Sequence, residues 1–166
     1  MPSRILVEAR AGAGKTTAFR RLAELLPGPV AGFITEEIRE GRRRVGFAIE
    51  SFSGERGALA HVSFDGPPRV GKYGVDLAEF ERVALPALDA APGDVVLIDE
   101  LGKMELASEP FRAAVEELID SPIALAATVQ ASRHPFTDGL KRRLEVIRLT
   151  AANRDALPRQ LADRLL

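Results

Sequence analysis

One short segment limits the fold more than any other. Ala9-Arg10-Ala11-Gly12-Ala13-Gly14-Lys15-Thr16-Thr17 follows an apolar run, Ile5 to Ala9, and opens a stretch with helical periodicity. A strand that turns tightly into a helix leaves the helix's first backbone N–H groups without intrahelical acceptors. They converge, with the positive end of the helix dipole, on one point. Small residues at 11–14 let a bulky anion reach that backbone. This is the context a Walker A phosphate loop requires. In such a loop Lys15 is placed for the β- and γ-phosphates, the Thr16 hydroxyl for Mg²⁺ and Thr17 for the α-phosphate. The strict pattern begins with Gly, and this chain has Ala9 there.

The rest of the chain reads as alternating elements. A helix is expected from Lys15 to Leu26, with Phe19, Leu22, Ala23 and Leu26 on one face, ended by Pro27-Gly28-Pro29. Val30–Ile38, Val45–Phe52 and Ala58–Phe64 are strand-like runs joined by Gly-centred turns, an antiparallel meander over 30–64. A Gly- and Pro-rich loop, 65–74, follows. Asp76 is an N-cap with Glu79 at the capping-box position, and Pro86 is expected to kink the helix behind it. Val95–Ile98 and Ile123–Val129 are solid apolar runs, as central parallel strands buried on both faces should be. Helices are expected over about 108–120, 141–144 and 155–166, a polar loop over 130–139 and a last strand over 145–150. Together these give one α/β domain over 1–166, a mostly parallel sheet flanked by helices with the meander extending one edge.

A second motif answers the first. Val95-Val96-Leu97-Ile98 ends in Asp99-Glu100. In an open α/β sheet the carboxyl ends of the strands line the ligand crevice, which sets both acids near the phosphate loop. Asp99 then holds Mg²⁺ through water, as a Walker B acid, and Glu100 orients the attacking water. A carboxylate directly after the Walker B acid suits a hydrolase. A nucleotide or small-molecule kinase of the same length and loop is the alternative, and it would require an acceptor.

Composition removes other classes. A net charge of −1, one Tyr and no Trp argue against a nucleic-acid surface, whose only support is Arg42-Arg43-Arg44. There is no Cys, and His61 and His134 lie far apart, which excludes a thiolate metal site and argues against structural zinc. No apolar stretch is long enough to span a bilayer. Met1 to Glu8 reads as a buried strand rather than a signal peptide. A cytoplasmic monomer is expected.

With these residues in hand, the chain resembles a family, the small P-loop nucleoside-triphosphatases of thermophilic microbes with an animal cancer-related relative. The resemblance is carried by Gly14-Lys15-Thr16-Thr17, Gly32-Phe33-Ile34-Thr35-Glu36-Glu37-Ile38-Arg39, Arg44-Val45-Gly46-Phe47, Arg69-Val70-Gly71-Lys72-Tyr73 and Asn153-Arg154-Asp155. Asp99-Glu100-Leu101-Gly102-Lys103-Met104-Glu105-Leu106 is its most specific string. The resemblance implies a RecA-like sheet, with a strand between those of Walker A and Walker B. It also implies Mg²⁺-dependent hydrolysis of several NTPs to NDP and phosphate. It suggests Lys103 as a γ-phosphate cation or as the partner of Glu105, and Arg39 or Arg44 as an arginine finger in cis. Arg133, with His134 and Lys141, becomes a phosphate contact in a lid over 130–139, and Thr128 and Gln130 become γ-phosphate sensors. Asn153 and Arg154 face the nucleobase, Arg154 by stacking, and Lys72 and Tyr73 approach the base or sugar. The guanine-reading Asn-Lys-x-Asp string is absent, which argues against strict GTP specificity.

Overall fold

Alternation inside the apolar runs decides the architecture. The computed structural model describes residues 2–166. Strand β1 (Arg4–Ala9) sends Ile5 and Val7 to one face of the sheet and Leu6 to the other, and all three are fully buried. Strand β7 (Val95–Leu101) divides Val95 and Leu97 from Val96 and Ile98 in the same way. Strand β8 (Ala124–Gln130) does so with Ala124 and Ala126 against Leu125, Ala127 and Val129. A strand apolar on both faces has to be covered on both, and helices do this.

Helices α1 (Lys15–Leu25) and α5 (Leu157–Leu165) cover one face through Phe19, Leu22, Leu157 and Leu161. Helices α2 (Leu77–Ala87) and α3 (Glu109–Ile119) cover the other through Phe80, Val83, Phe111 and Val115, with α4 (Pro135–Arg143) adding Leu140. The remaining strands are β2 (Val30–Glu40), β3 (Arg43–Ser51), β4 (Arg56–His61), β5 (Arg69–Val70), β6 (Tyr73–Val75) and β9 (Glu145–Arg148). Among the described residues the sheet has nine strands, ordered β5-β6-β4-β3-β2-β7-β8-β1-β9. Strands β9, β1, β8, β7 and β2 run parallel, and β8 lies between β1 and β7, the RecA-like order. Strands β3, β4, β6 and β5 continue it antiparallel.

The meander does not begin as a separate insert at residue 30. Strand β2 is a core strand over Val30–Phe33, paired with Val95–Ile98, and then runs on to form the hairpin with β3. Past Phe33 it leaves the sheet's parallel edge and stands beside the carboxyl ends of the core strands. The loop over 65–74 holds the short β5–β6 hairpin. Pro86 is the penultimate residue of α2, so it sits where the helix ends and no longer helical segment exists for it to kink. Asp76 accepts from the Glu79 amide at 3.0 Å, but the Glu79 carboxylate turns to Arg82, so only half of the capping box forms. Helix α4 begins at Pro135, with His134 as N-cap, so the expected polar loop over 130–139 shortens to 131–134.

Three rings fix β2 against the helices. Phe33 meets Phe80 at 5.8 Å and Phe111 at 5.7 Å, and Phe80 meets Phe111 edge-on at 5.0 Å, all three fully buried. Phe80→Ala removes two of the three ring contacts and should cost about 3–5 kcal/mol. Urea unfolding would show a lower midpoint with an unchanged slope. A loss below about 1 kcal/mol would mean this trio does not anchor the sheet.

Candidate active site

The turn from β1 into α1 has the backbone a phosphate loop needs. Gly12 and Gly14 take positive φ of 78° and 91°, a region L side chains avoid, and the Ala13 amide closes the turn onto the Arg10 carbonyl at 3.1 Å. No side chain caps α1, so its leading N–H groups point out of the helix end with no local acceptor. Ala9, where the strict pattern has Gly, ends β1 at 2% exposure, and its methyl packs in the same cluster as Phe19 and Leu22. No positive φ is required there, so alanine fits unstrained.

Opposite the loop, β7 delivers both acids to one place. Successive strand residues normally face opposite sides. Here the pairing with β8 passes from Ile98↔Ala127 to Leu101↔Val129, one extra residue on β7, and that bulge re-aims side chains. Lys15 Nζ then lies 3.4 Å from Asp99 Oδ1 and 3.7 Å from Glu100 Oε2. Asp99 has 0% exposure, and hydroxyls satisfy it: Thr16 Oγ1 donates to Oδ2 at 2.5 Å and Thr128 Oγ1 to Oδ1 at 2.7 Å. Gln130 Nε2 donates to Glu100 Oε1 at 3.3 Å, while Glu100 Oε2 is buried with no hydrogen-bond partner among the described residues. Thr16 Oγ1 also lies 3.3 Å from the carbonyl of Thr35, which ties β2 to the loop.

Charge is unevenly matched here. Burial works against the Lys15 ammonium, but Asp99, Glu100 and Glu105 together hold its pKa above the ordinary value. Burial raises the Glu100 pKa, and Asp99 adds to this while Lys15 opposes it. Glu105, at 3% exposure, is pushed up to about 8, first by burial and then by the charge of Glu100.

Comparison with known proteins agrees with this geometry. Residues 4–162 match a protein-family model described as NTPase. The nucleoside-triphosphatase THEP1 of Thermotoga maritima is 42% identical over 158 residues, covering 93% of this chain and 90% of that one. The human cancer-related nucleoside-triphosphatase is 43% identical over 136 residues, 74% of this chain and 72% of that one. The crystal structure of THEP1 from Aquifex aeolicus superposes with a TM-score of 0.89 at 33% identity, covering 98% of both chains. The chain belongs to the NTPase family. It is therefore an NTP-hydrolysing enzyme on a P-loop, RecA-like frame.

In this NTPase the core motifs converge, but several other candidates stand elsewhere. Arg39 lies four residues beyond Thr35, about 13 Å along the strand. Its donors go to Glu37 at 2.9 Å and to the Arg42 carbonyl at 3.1 Å, so the structure sets it in the hairpin turn and not at the phosphate loop. Arg44 is likewise held by the Tyr73 hydroxyl at 2.9 Å and by Glu37. Arg133 has a 90% exposed side chain and pairs with Asp138 at 2.9 Å. His134 caps α4. Lys141 binds Glu8 and the Gln130 carbonyl, both at 2.9 Å. Lys103 faces solvent while Glu105 turns inward, so the two do not pair. Lys72 and Tyr73 belong to the β5–β6 hairpin, at the opposite edge of the sheet from β1 and β9.

Beside the phosphate loop lies a cleft of about 430 Å³, lined by Glu8, Ala9, Arg10, Arg148, Leu149 and Thr150 among others. Asn153 and Arg154 are not among its walls. Asn153 instead braces the turn after β9, accepting from the Thr150 amide and donating to the Arg148 carbonyl, both at 2.8 Å. Glu8, which ties Lys141 and Arg148 together at this cleft, escaped the reading of the sequence. Its signal was there, a lone charge inside Ile5-Leu6-Val7-Glu8-Ala9.

Glu105 makes stability depend on pH. Its folded pKa of about 8 exceeds the ordinary 4.5, so its stabilising effect is complete below about pH 4.5 and is lost as pH rises through 8. Glu105→Gln lacks this loss. The Tm difference between variant and wild type should be flat below about pH 4.5 and then shift in the variant's favour up to about pH 8. A difference that stays constant throughout would mean Glu105 titrates as an ordinary carboxylate.

Proposed function

We propose that this enzyme releases the γ-phosphate from nucleoside 5′-triphosphates of several bases, by in-line attack of water with Mg²⁺ present. The observation that carries the reading is the meeting of Lys15 with two successive acids, one fully satisfied and one with a buried oxygen that Lys15 faces at 3.7 Å but that accepts no hydrogen bond among the described residues. Lys15 and the amides of Gly12, Gly14 and Lys15 hold the β- and γ-phosphate oxygens, the Ala13 amide being used by the turn itself. The partnerless Glu100 Oε2 accepts a hydrogen bond from the attacking water, and Gln130 fixes the other oxygen. The water oxygen bonds to phosphorus as the bond to the β,γ-bridging oxygen breaks, and the water's proton leaves with the inorganic phosphate. In so loose a transition state, orientation counts for more than basicity.

The donor set suits Mg²⁺. Thr16 Oγ1 and the Asp99 carboxylate are hard oxygens 2.5 Å apart, and Mg²⁺ takes one or two protein oxygens beside phosphate and water oxygens. Bound there, it neutralises charge on the phosphate oxygens. The described residues hold no cluster of three or more His, Asp or Glu side chains suited to a metal ion, and this chemistry does not need one.

The cleft beside the loop is the place for sugar and base. Ala9, Ala13, Ala131, Leu149 and Ala151 give it apolar walls, and of its polar walls Glu8 and Arg148 pair with each other. The Asn153 amide is committed to backbone. Both features support tolerance of several bases. Lys103, exposed three residues past Glu100 and not paired with the inward Glu105, is the cation we assign to the γ-phosphate when nucleotide binds. With Arg39 and Arg133 engaged elsewhere, turnover is expected to be slow, on the order of the 10⁻⁴ s⁻¹ of a P-loop GTPase without an arginine finger. No helix among the described residues is long and apolar enough to cross a membrane.

Purified protein with each NTP and Mg²⁺, and no acceptor, should release phosphate from several of them. Chelation of Mg²⁺ should abolish the release. Glu100→Gln should keep nucleotide affinity and lose turnover about 10²–10⁴-fold. Release that begins only when a nucleoside monophosphate or other acceptor is added would make the protein a kinase and remove the water-orienting role from Glu100.

A further inference from the structure

One buried acid has no part in the reaction as described. Glu105 opens a 3₁₀ turn, Glu105–Ala107, between the exposed Lys103 and Glu109. Sequence spacing gives no reason for it to turn inward, yet it does. The chain folds back at Gly102, whose carbonyl accepts from the Leu106 amide at 2.9 Å. A Cβ built on Gly102 would stand 2.9 Å from Glu105 Oε1 and 3.1 Å from Glu100 Oε1. The two carboxyl groups therefore flank the same bare Cα, and residue 102 needs to be glycine for them to do so.

Among the described residues nothing packed around Glu105 offers it a cation of its own. The charges that bear on it are Glu100, Asp99 and Lys15, and Lys15 already lies against the other two. From α2, Glu81 accepts from Ser108 at 2.6 Å. From α3, Arg112 donates to the Leu106 carbonyl. A third anion buried beside two others and a triphosphate is costly, and a leucine would fill the space without that cost. Its presence calls for a job that only a polar group of this shape can do.

We propose that Glu105 is a positioning residue for Glu100. Lying beside it across Gly102, it serves as an uncharged polar buttress that keeps the Glu100 carboxylate turned toward the attacking water. The inference rests on the proposed role of Glu100. It separates three properties of residue 105. Bulk alone is not enough, negative charge is not needed, and polar shape is.

Four variants decide it, each compared with wild type for kcat, for affinity toward Mg·ATP and for thermal stability. Glu105→Leu should fold and bind Mg·ATP as wild type does, because an apolar group replaces a buried ionisable one, but its kcat should fall about 10²-fold through misplacement of Glu100. Glu105→Gln keeps shape and polarity and should retain most of the turnover. Gly102→Ala, which pushes both carboxyls apart, should lose kcat at unchanged affinity. Glu100→Gln tests the underlying reading. If it hydrolyses normally, the role of Glu100 fails and the inference falls with it. If Glu100→Gln is inactive while Glu105→Leu turns over like wild type, Glu105 only fills space and the inference alone is wrong. If Glu105→Gln is as slow as Glu105→Leu, the carboxyl itself is required and the buttress is wrong. A Glu105→Leu protein that loses affinity but not kcat also overturns it.

Discussion

A carboxylate with no exposed surface has to be met by whatever surrounds it, and the arrangement around Asp99 organises this molecule. Asp99 stands on β7, and its partners come from two other places: Thr16 and Lys15 from the start of α1, and Thr128 from β8. None of these is near another in sequence. They meet only because β8 lies between β1 and β7 in a parallel sheet, so that three carboxyl ends open on one side. Removing one partner from a buried charge is expensive, which makes the site and the strand order mutually dependent. The thick apolar layers on both faces hold that order, and the Phe33–Phe80–Phe111 trio holds β2 where the Thr35 carbonyl reaches Thr16.

The same frame explains why basic residues that look available are not. Strand β2 leaves the parallel edge after Phe33 and continues outward, so a residue near its tip gains about 3.3 Å of distance from the site with every step. Arg39 and Arg44 bind Glu37, Tyr73 and the turn backbone, contacts that fix the hairpin. Helix α4 does the same for Lys141, which bridges Glu8 on β1 and the carbonyl of Gln130. That bridge is next to the residue that holds Glu100. In this NTPase much of the positive charge near the crevice therefore works on the protein's own groups, and Lys15 stands as the lysine directed at Asp99 and Glu100.

What the sequence disclosed and what it withheld follow one rule. The phosphate loop, the buried strands and the Asp99-Glu100 step are local patterns, readable because strand alternation, turn glycines and helix starts depend on near neighbours. The strand order came with the family resemblance rather than from periodicity. Helix α4 was placed too late because Pro135 was read as loop, although proline at the first helical position is an ordinary way to begin a helix. Strands β5 and β6 span two and three residues and carry no period to detect. A pairing of Glu105 with Lys103 is one of two readings the family string allows, since adjacent charges on a polar segment look like one exposed face. A single reversal at Gly102 separates them, and only the packing of the 3₁₀ turn against β7 determines which goes inside. Asn153, assigned to the base, is used by the turn that follows β9 for the same reason: its partners lie in a fold-dependent backbone.

The contact between Thr16 and Asp99 bears on how the site changes when nucleotide arrives. A threonine hydroxyl has one proton and two lone pairs. In the structure the proton goes to Asp99 Oδ2, which leaves the lone pairs for a cation. The bond therefore does not have to break for Thr16 to act as a ligand, and by accepting that proton Asp99 makes the Thr16 oxygen the better donor. Lys15 differs. It lies between Asp99 and Glu100 and has to exchange part of that pairing for phosphate oxygens. As it moves off, Glu100 loses the cation that opposes its raised pKa, while the phosphate brings more negative charge. On the proposed roles, binding and turnover are coupled through this one lysine: what holds the triphosphate is withdrawn from the acid that orients the water. A neutral group at residue 105 adds nothing to that deficit, whereas an ionised one would deepen it.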